Sequence, residues 1–266
     1  MSTLQAWLTR RGAGFTEWVN AWARVLTFTG VAVVGALSPS TYNKATRLVV
    51  QKQIYFTAWQ ILPGFALFSA LFSVLIIEIV GRNASAYGLY AYALELVVRV
   101  LVLEMLPLLT ALFVALRTGA AINTEVALMQ IQNELSALER IGIDPLRLEL
   151  LPRVVGGTIS VLALTAVNTV VALLLARIMI IDLNPWSLPP GEFARVIGKV
   201  LDLPAIGVLW LKTIAFGLAV TVIPISEVLS TPKKLFYAPI AVLRGMVRLF
   251  FALMLIEFLA LVALYV

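Results

Sequence analysis

The stretch VLVLEMLPLLTALFVAL, residues 100–116, is a continuous apolar run interrupted by a single carboxylate, Glu104. A run of this kind predicts a helix that crosses a lipid bilayer. A carboxylate near the centre of such a helix costs about 2.5–3.5 kcal/mol to insert, so it usually faces a bundle interior or a wet cavity. We therefore take Glu104 as the first candidate site residue. The structural alternative is a protonated Glu104 that is hydrogen-bonded to a neighbouring helix.

The composition of the chain extends this interpretation to the whole molecule. Of its 266 residues, 61% are hydrophobic and only 13% are charged, and the mean hydropathy is +0.99. A soluble domain usually contains about 25% charged residues. The apolar runs are continuous rather than alternating, which excludes a membrane β-barrel. We expect an all-α integral membrane protein.

Several kinds of chemistry are excluded by the residue types that the chain lacks. It has no cysteine and no histidine, which rules out disulfides, Cys/His metal sites and imidazole catalysis. It also lacks the G-x-x-x-x-G-K-[ST] motif that holds nucleotide phosphates, so an ATPase would be a separate chain. We expect no catalytic residue, metal or cofactor here. The net charge of +6 indicates basic cytoplasmic loops rather than a nucleic-acid partner.

The hydropathy pattern predicts five spans, each close to the roughly 20 residues that a bilayer requires. Together they form a permease-sized domain at 57–266, preceded by an N-terminal cytoplasmic or interfacial region at 1–56. The spans cover about 57–80, 94–116, 154–176 and 203–225, and the fifth ends at Val266. A predicted outer loop at 182–202 contains Pro185, Pro189 and Pro190.

The N-terminal segment at 15–37 is ambiguous. Its first half is amphipathic, and its apolar second half, 25–37, is only 13 residues long before Ser38-Pro39-Ser40 stops it. This pattern is typical of a helix that lies in the cytoplasmic interface or dips into it as an elbow. A true span is the alternative.

The basic residues orient the spans. The segments on one side of the predicted spans (1–56, 117–153 and 226–248) hold 14 lysines and arginines, whereas those on the other side (81–99 and 177–203) hold 5. Basic loops stay in the cytoplasm, so we expect a cytoplasmic N-terminus and a periplasmic C-terminus.

Three charged residues lie in the interior of predicted spans, away from the span ends: Glu104, Lys212 and Glu257. Lys212 and Glu104 fall at a similar depth, and an ion pair between them would offset much of the cost of burial. One interpretation is a static structural contact. The other is that these charges line a cavity that meets a polar lipid headgroup.

The polar segment 118–152 between the second and third spans is predicted to be cytoplasmic. It contains an amphipathic helix that we expect to be capped by Thr124 and stopped at Gly142. Asp144 and Pro145 then have the pattern of an N-cap and a first-position proline of the next helix. The amphipathic helix either rests on its own bundle or docks into a soluble partner.

From Glu104 to Gly157 the sequence closely resembles the MlaE/YrbE permeases of Mce-type lipid ABC transporters. The resemblance is carried by E-x-x-P, R-x-G, E-x-x-x-M-x-x-x-x-E, D-P and P-R elements, represented here by Glu104 and Pro107, Arg117 and Gly119, Glu125, Met129 and Glu134, Asp144 and Pro145, and Pro152 and Arg153. Lys212 with Phe216 resembles the family's K-S-x-x-F. The chain departs from the family at Leu103, where an Arg is usual, and at Ile225-Ser226-Glu227, where the family has a G-Y element.

The resemblance implies a homodimeric, non-catalytic permease of the bacterial inner membrane that transports lipid, in the usual case phospholipid. Two cytoplasmic ABC ATPases would bind ATP and Mg²⁺, and a periplasmic Mce-domain protein would sit on the outer face. The candidate lipid-pocket residues are Leu103, Glu104, Pro107, Lys212 and Glu257. The candidate ATPase-coupling residues are Arg117, Glu125, Met129, Glu134, Leu138, Asp144 and Pro145.

Two other functions remain open from the residues themselves. A membrane scaffold that anchors a partner complex would tolerate apolar residues at Glu104 and Lys212. A membrane-embedded lipid enzyme is disfavoured because the sequence has no His, no Cys and no acidic metal-binding cluster.

Overall fold

The computed structural model describes residues 3–85, 87–182 and 191–265, and the regular elements within these ranges are helices. The α-helices are α1 (Thr3–Leu37), α2 (Lys44–Ile54), α3 (Leu62–Ser85), α4 (Tyr90–Leu96), α5 (Leu106–Val114), α6 (Ala120–Ile131), α7 (Glu134–Arg140), α8 (Leu151–Arg177), α9 (Glu192–Val200), α10 (Leu203–Leu229) and α11 (Ala238–Tyr265). Short 3₁₀ turns at Pro39–Thr41 and Leu235–Tyr237 precede α2 and α11. The all-α prediction is confirmed.

Segments of wider, π-helical winding join several of these helices. They are Tyr55–Trp59, Val97–Met105, Ala115–Gly119, Leu146–Leu150 and Ile178–Asp182. As a result α2 continues into α3, and α4, α5 and α6 form one long helix, Tyr92–Ile131. Wider winding of this type is frequent at functional sites, and the segment Val97–Met105 contains Glu104.

Within the described residues, six helices are long and apolar enough to cross a membrane: Trp18–Leu37, Lys44–Ala84, Tyr92–Ile131, Leu146–Ile180, Leu203–Leu229 and Ala238–Tyr265. The last five contain the five predicted spans, so the protein is a multi-pass membrane protein. The first lies in the ambiguous N-terminal segment. Its length and composition alone would permit it to span, and its interfacial position stays a prediction.

The first N-terminal helix packs on the bundle through a face that includes the buried residues Val25 and Ala32, and two of its contacts show which end of the bundle it meets. Near its middle, Arg24 shares a cavity with Glu227, at the end of α10. Near its end, Gly35 packs so closely on Leu151, at the start of α8, that an added Cβ would lie 2.6 Å from Leu151 Cδ1. The end of α10 and the start of α8 flank the same predicted cytoplasmic side. Both of these contacts are therefore with that one end of the bundle.

The predicted start of the amphipathic helix at Thr124 is wrong. The second span continues without a break into α6, and the Thr124 hydroxyl donates to the carbonyl oxygen of Ala120 at 2.9 Å, within the helix. Ala120 and Ala121 are strong helix formers, so the chain needs no new cap there. The break comes later, at Asn133, whose φ is 59°.

The end of the amphipathic segment agrees with the sequence. Gly142 has a φ of +79° and follows α7, so it is the stop that was predicted. The Asp144 carboxylate accepts the backbone N–H of Leu146 at 2.9 Å, as expected for a residue that caps the start of a helix.

In the predicted outer loop, residues 183–190 with Pro185, Pro189 and Pro190 lie outside the described residues. The described part contains a helix that was not predicted, α9. Its apolar face includes Val196 and Val200, which are buried. The helical spacing of these residues was the available signal, and the preceding prolines obscured it.

The contact between α8 and α10 is one of the two most extensive helix contacts in the bundle. These helices approach closely because small residues lie between them: a Cβ added at Gly217 would lie 2.7 Å from the Cα of Thr158. Small residues at helix contacts are typical of membrane proteins, since lipid provides no hydrophobic force between helices. This packing positions the face of α10 that carries Lys212.

Candidate functional site

Lys212 lies at the centre of a buried charge cluster formed by three helices. Its residue is only 4% exposed. Its Nζ donates to the backbone carbonyl oxygen of Leu103 at 2.7 Å, contacts Oε2 of Glu104, and lies 3.3 Å from Oε2 of Glu257. The predicted contact between Glu104 and Lys212 is therefore present, and Glu257 joins it.

The local sequence explains why Lys212 finds a free acceptor at Leu103. In an α-helix the carbonyl oxygen of residue 103 would accept the N–H of residue 107. Pro107 has no N–H, so that oxygen is left without its usual partner. The wider winding here, in which the N–H of Leu106 donates to Leu101, is part of the same irregularity. Leu103, Glu104 and Pro107 thus act together on one lysine.

The cluster carries more acid than base. Two carboxylates, Glu104 and Glu257, share one ammonium group, and each carboxylate side chain is 12% exposed. Oε2 of Glu257 is buried, and the cation that the described residues offer it is the Lys212 ammonium group, 3.3 Å away and shared with Glu104. Buried ionic groups are costly unless their partners satisfy them, so the cluster retains capacity for a further hydrogen-bond donor.

Polar side chains continue from the cluster toward the predicted outer end. Tyr265, near the end of α11, lies close to both Glu104 and Arg99. Arg99 pairs with Glu95, four residues earlier on the same helix, at 3.1 Å. Lys199 of α9 also binds Glu95, at 3.0 Å. The sequence gives no sign that Tyr265 or Lys199 takes part, because α9 and the end of α11 are brought here only by tertiary packing.

A second cluster is centred on Arg153, at the start of α8, and includes residues of the polar segment 118–152. Its Nη1 is 2.5 Å from Oε2 of Glu149, and its Nη2 is 3.6 Å from Oε2 of Glu125 and 3.9 Å from Sδ of Met129. The structure therefore brings Glu125 and Met129 together with the P-R element. A cavity of about 600 Å³ adjoins them.

The other predicted coupling residues are not part of the Arg153 cluster. Arg117 donates to the carbonyl oxygen of Phe56 at 3.0 Å and so ties the second span to the first. Glu134 and Leu138 lie on α7, which has no buried residue. Asp144 and Pro145 begin the helix that leads into α8. Among the described residues no group of three or more His, Cys, Asp and Glu side chains is arranged to hold a metal.

Sequence reasoning also missed a buried ion pair at the end of α10. Glu227, which is 4% exposed, contacts Arg248 of α11. The available sequence signal was that Glu227 lies where the chain departs from the family's G-Y element.

Comparisons with known proteins identify the family to which the chain belongs. A family model described as "Permease MlaE" matches residues 50–263. The intermembrane phospholipid transport system permease protein MlaE of Haemophilus influenzae is 42% identical over 66 residues, 25% of each chain. Probable ABC transporter permease proteins of Synechocystis sp. and Rickettsia prowazekii are 27% identical over 128 residues and 25% identical over 170 residues.

These curated relatives are matched over part of their length: 25%, 48% and 64%, respectively, with 25%, 48% and 62% of this chain covered. The family match is wider. It covers the first four predicted membrane spans and the fifth as far as residue 263, and it contains both the Lys212 and the Arg153 clusters. The chain thus belongs to the MlaE family of ABC transporter permeases, membrane-spanning subunits that are not themselves catalytic and work with a separate ATPase chain.

Proposed function

We propose that this chain is the permease subunit of an ATP-driven complex that moves phospholipid between the inner and outer membranes of a bacterium. The observation that carries the proposal is the buried cluster of Lys212, Glu104 and Glu257 within the spans. Charged groups inside a membrane usually mark a substrate path. A lipid substrate is supported by the similarity to the intermembrane phospholipid transport system permease protein MlaE of Haemophilus influenzae.

The chemistry of the cluster suits a phosphate headgroup. An ammonium group is a compact cation that binds phosphate well as a point charge. In the empty site Glu104 and Glu257 neutralise Lys212, and an incoming phosphodiester would replace one of these carboxylates as its partner. Arg99 and Tyr265 lie on the way to the outer end and would receive the headgroup next.

A homodimer would complete the site. Glu104 and Glu257 each keep a small exposed fraction at the surface of the single chain. α11 also presents large exposed apolar side chains, including Phe251 and Phe258. A second copy packed on this face would enclose the carboxylates while leaving a lipid-sized space between the subunits.

We assign ATPase docking to α6 and α7. α7 has no fully buried residue, and its exposed surface, which includes Glu134 beside the half-buried Leu138, is available to a partner. Two contacts link this segment to the end of α10 and to the loop before α11: Gln130 Nε2 donates to the carbonyl oxygen of Leu229 at 3.3 Å, and Lys233 Nζ lies 3.1 Å from Ser136 Oγ. Movement of α7 would therefore be transmitted to α10 and α11, the helices that carry Lys212 and Glu257.

The proposed topology has five spans, a cytoplasmic N-terminus and a periplasmic C-terminus, with α1 in the cytoplasmic interface. The position of α1 is supported by two of its contacts, both with one end of the bundle, through Arg24 and Gly35. A periplasmic Mce-domain protein would then meet the outer end, where α9 lies.

The test is lipid transfer by the complex reconstituted with its ATPase, combined with mass spectrometry of lipids that copurify with it. We expect bound phospholipid and ATP-dependent transfer that falls at least tenfold in Lys212→Leu. A scaffold would retain full transfer in that variant. An enzyme would convert lipid without ATP and without a partner.

A further inference from the structure

A second set of charges, remote from Lys212, surrounds a cavity of about 280 Å³ at the end of α10. Three arginines line it, Arg24 from α1 and Arg244 and Arg248 from α11, with one carboxylate, Glu227. Arg248 is nine residues before Glu257, or about 13 Å along the helix. The cavity is therefore separate from the mid-membrane cluster.

The arginines exceed the carboxylates in this cavity. Glu227 is buried and contacts Arg248, which fixes the position of that guanidinium group. Within the described part of the chain, no carboxylate pairs with Arg24 or Arg244. Arg244 and Arg248 are also four residues apart on one helix, a spacing at which like charges repel. A bound anion would relieve this repulsion, and guanidinium groups bind phosphate through paired hydrogen bonds.

The size of the cavity and its other lining residues limit the occupant. Pockets for drug-sized molecules range from about 300 to 1,000 Å³, so this space suits a headgroup rather than a whole lipid. Ser230 and Thr231 add hydroxyl groups to its wall. These hydroxyls now donate to the carbonyl oxygen of Glu227 at 2.9 Å each, and they can turn toward an anion.

An apolar groove adjoins the arginine-lined cavity. It is open to the surface, has a volume of about 550 Å³, and follows one face of α1, where Ala23, Phe28 and Val31 line it together with Asn20, Arg24 and Thr27. Asn20 and Arg24 line both spaces. A small cationic space continuous with an apolar groove matches a molecule with a phosphate at one end and acyl chains at the other.

We propose that Arg24, Arg244 and Arg248 bind the phosphate of an anionic glycerophospholipid whose glycerol and acyl chains lie along α1. Glu227 acts as a positioning residue, since it holds Arg248. This site lies at the membrane surface and takes a lipid from the surrounding leaflet, in addition to the lipid that the permease is proposed to transport. A bound lipid would connect α1 to α10 and α11.

The test measures the rise in melting temperature of the purified full-length chain during titration with short-chain lipids, because a ligand that binds the folded state raises Tm with its concentration. The probes are dihexanoyl phosphatidylglycerol, dihexanoyl glycerol, which has no phosphate, and glycerol 3-phosphate, which has no acyl chain. We expect phosphatidylglycerol to reach its midpoint at a concentration at least tenfold lower than either of the others.

The variants separate this site from other lipid contacts. The double variant Arg24→Gln with Arg244→Gln should raise the phosphatidylglycerol midpoint at least tenfold, and both side chains are exposed, so the fold tolerates the change. Val31→Asn should raise the phosphatidylglycerol midpoint and leave that of glycerol 3-phosphate unchanged. Arg47→Gln, an exposed arginine on α2, is the matched control and should stay within twofold of the parent.

Three results would overturn the proposal: an unchanged midpoint in the double variant, an equal shift in Arg47→Gln, or equal binding of phosphatidylglycerol and dihexanoyl glycerol. Equal binding of glycerol 3-phosphate and phosphatidylglycerol would also overturn it, because the occupant of the site would then be a free phosphate compound rather than a lipid. The measurement needs neither ATP nor transport, so its outcome is independent of the proposed transport function.

Discussion

The ammonium group of Lys212 donates to the carbonyl oxygen of Leu103 at 2.7 Å, an oxygen that Pro107 leaves without its helical partner. The same lysine contacts Glu104, one residue further along. A proline inside a span therefore has a chemical role here beyond bending the helix. It converts a backbone carbonyl into a ligand for a buried cation.

Pro107→Ala tests this role. It restores an N–H that competes with Lys212 for the Leu103 oxygen. It also removes a proline from a helix interior, where the presence of a proline costs about 3 kcal/mol of stability. We expect Tm to stay the same or rise while lipid transfer falls severalfold. Pro204→Ala, at the exposed start of α10, is the control and should leave transfer unchanged. A loss of transfer with a matching loss of folded protein would make Pro107 merely structural.

Lys212→Leu should be the most damaging single change in the cluster. It leaves Glu104 and Glu257 buried without a cation, and breaking a buried pair in this way costs about 3–5 kcal/mol. The double variant Glu104→Leu with Lys212→Leu should recover part of the yield and Tm, because one stranded carboxylate is gone. If the double variant is no better than Lys212→Leu alone, the two residues are not an energetic pair.

Glu104→Leu alone separates transport from assembly. The change makes the span more apolar, so insertion and association with the ATPase should be normal. Lipid transfer in the reconstituted complex should nevertheless fall, because Lys212 loses its nearest carboxylate. Full transfer would reduce Glu104 to a tolerated structural residue, and loss of assembly would give it a structural role.

How much of the site could be predicted from the sequence depends on whether a feature is set by neighbouring residues or by tertiary packing. Charges in apolar runs are visible in sequence, so Glu104, Lys212 and Glu257 were found. The carbonyl of Leu103 could have been inferred from Pro107 four residues later, but its partner could not. Tyr265 joins the cluster only through packing at the end of α11.

The helix boundaries show the same division. Gly142 was predicted because it must have a positive φ, which is a local property. The start at Thr124 was wrong because a capping side chain is only one option, and the preceding alanines carried the helix through. α9 was missed because the prolines before it suggested an irregular loop.

The coupling proposal is tested most cleanly at Glu134. Glu125 and Met129 also contact Arg153 within the chain, so Glu125→Arg or Met129→Asp would change the permease as well as the interface. Among the described ion pairs Glu134 takes part in none. Glu134→Arg should reduce copurification of the ATPase, with a loss of about 2 kcal/mol or more if it is a desolvated hot spot. Glu192→Arg, at the opposite end of the bundle, should have no effect on copurification.

The α8–α10 contact should be sensitive to a single methyl group. Gly217→Ala places a Cβ 2.7 Å from the Cα of Thr158, and overpacking of this kind typically costs about 1–3 kcal/mol. We expect a lower Tm for the purified chain. Gly207→Ala adds the same atom to the same helix where nothing lies within 4 Å, so its Tm should not fall. Equal behaviour of the two variants would show that the helices separate freely.

The topology can be measured directly because the chain has no natural cysteine. Single cysteines at Thr16 and Asn43 flank the apolar part of α1. If α1 lies in the cytoplasmic interface, both should be protected in intact cells from a maleimide that cannot cross the inner membrane, and both should react after lysis.

A cysteine at Gly198 of α9 should react from outside, and one at Lys234 should not, which fixes the orientation of the spans. A reporter fused after Val266 should be active only in the periplasm. Reaction of Thr16→Cys from outside while Asn43→Cys stays protected would mean that α1 crosses the membrane and that the protein has six spans.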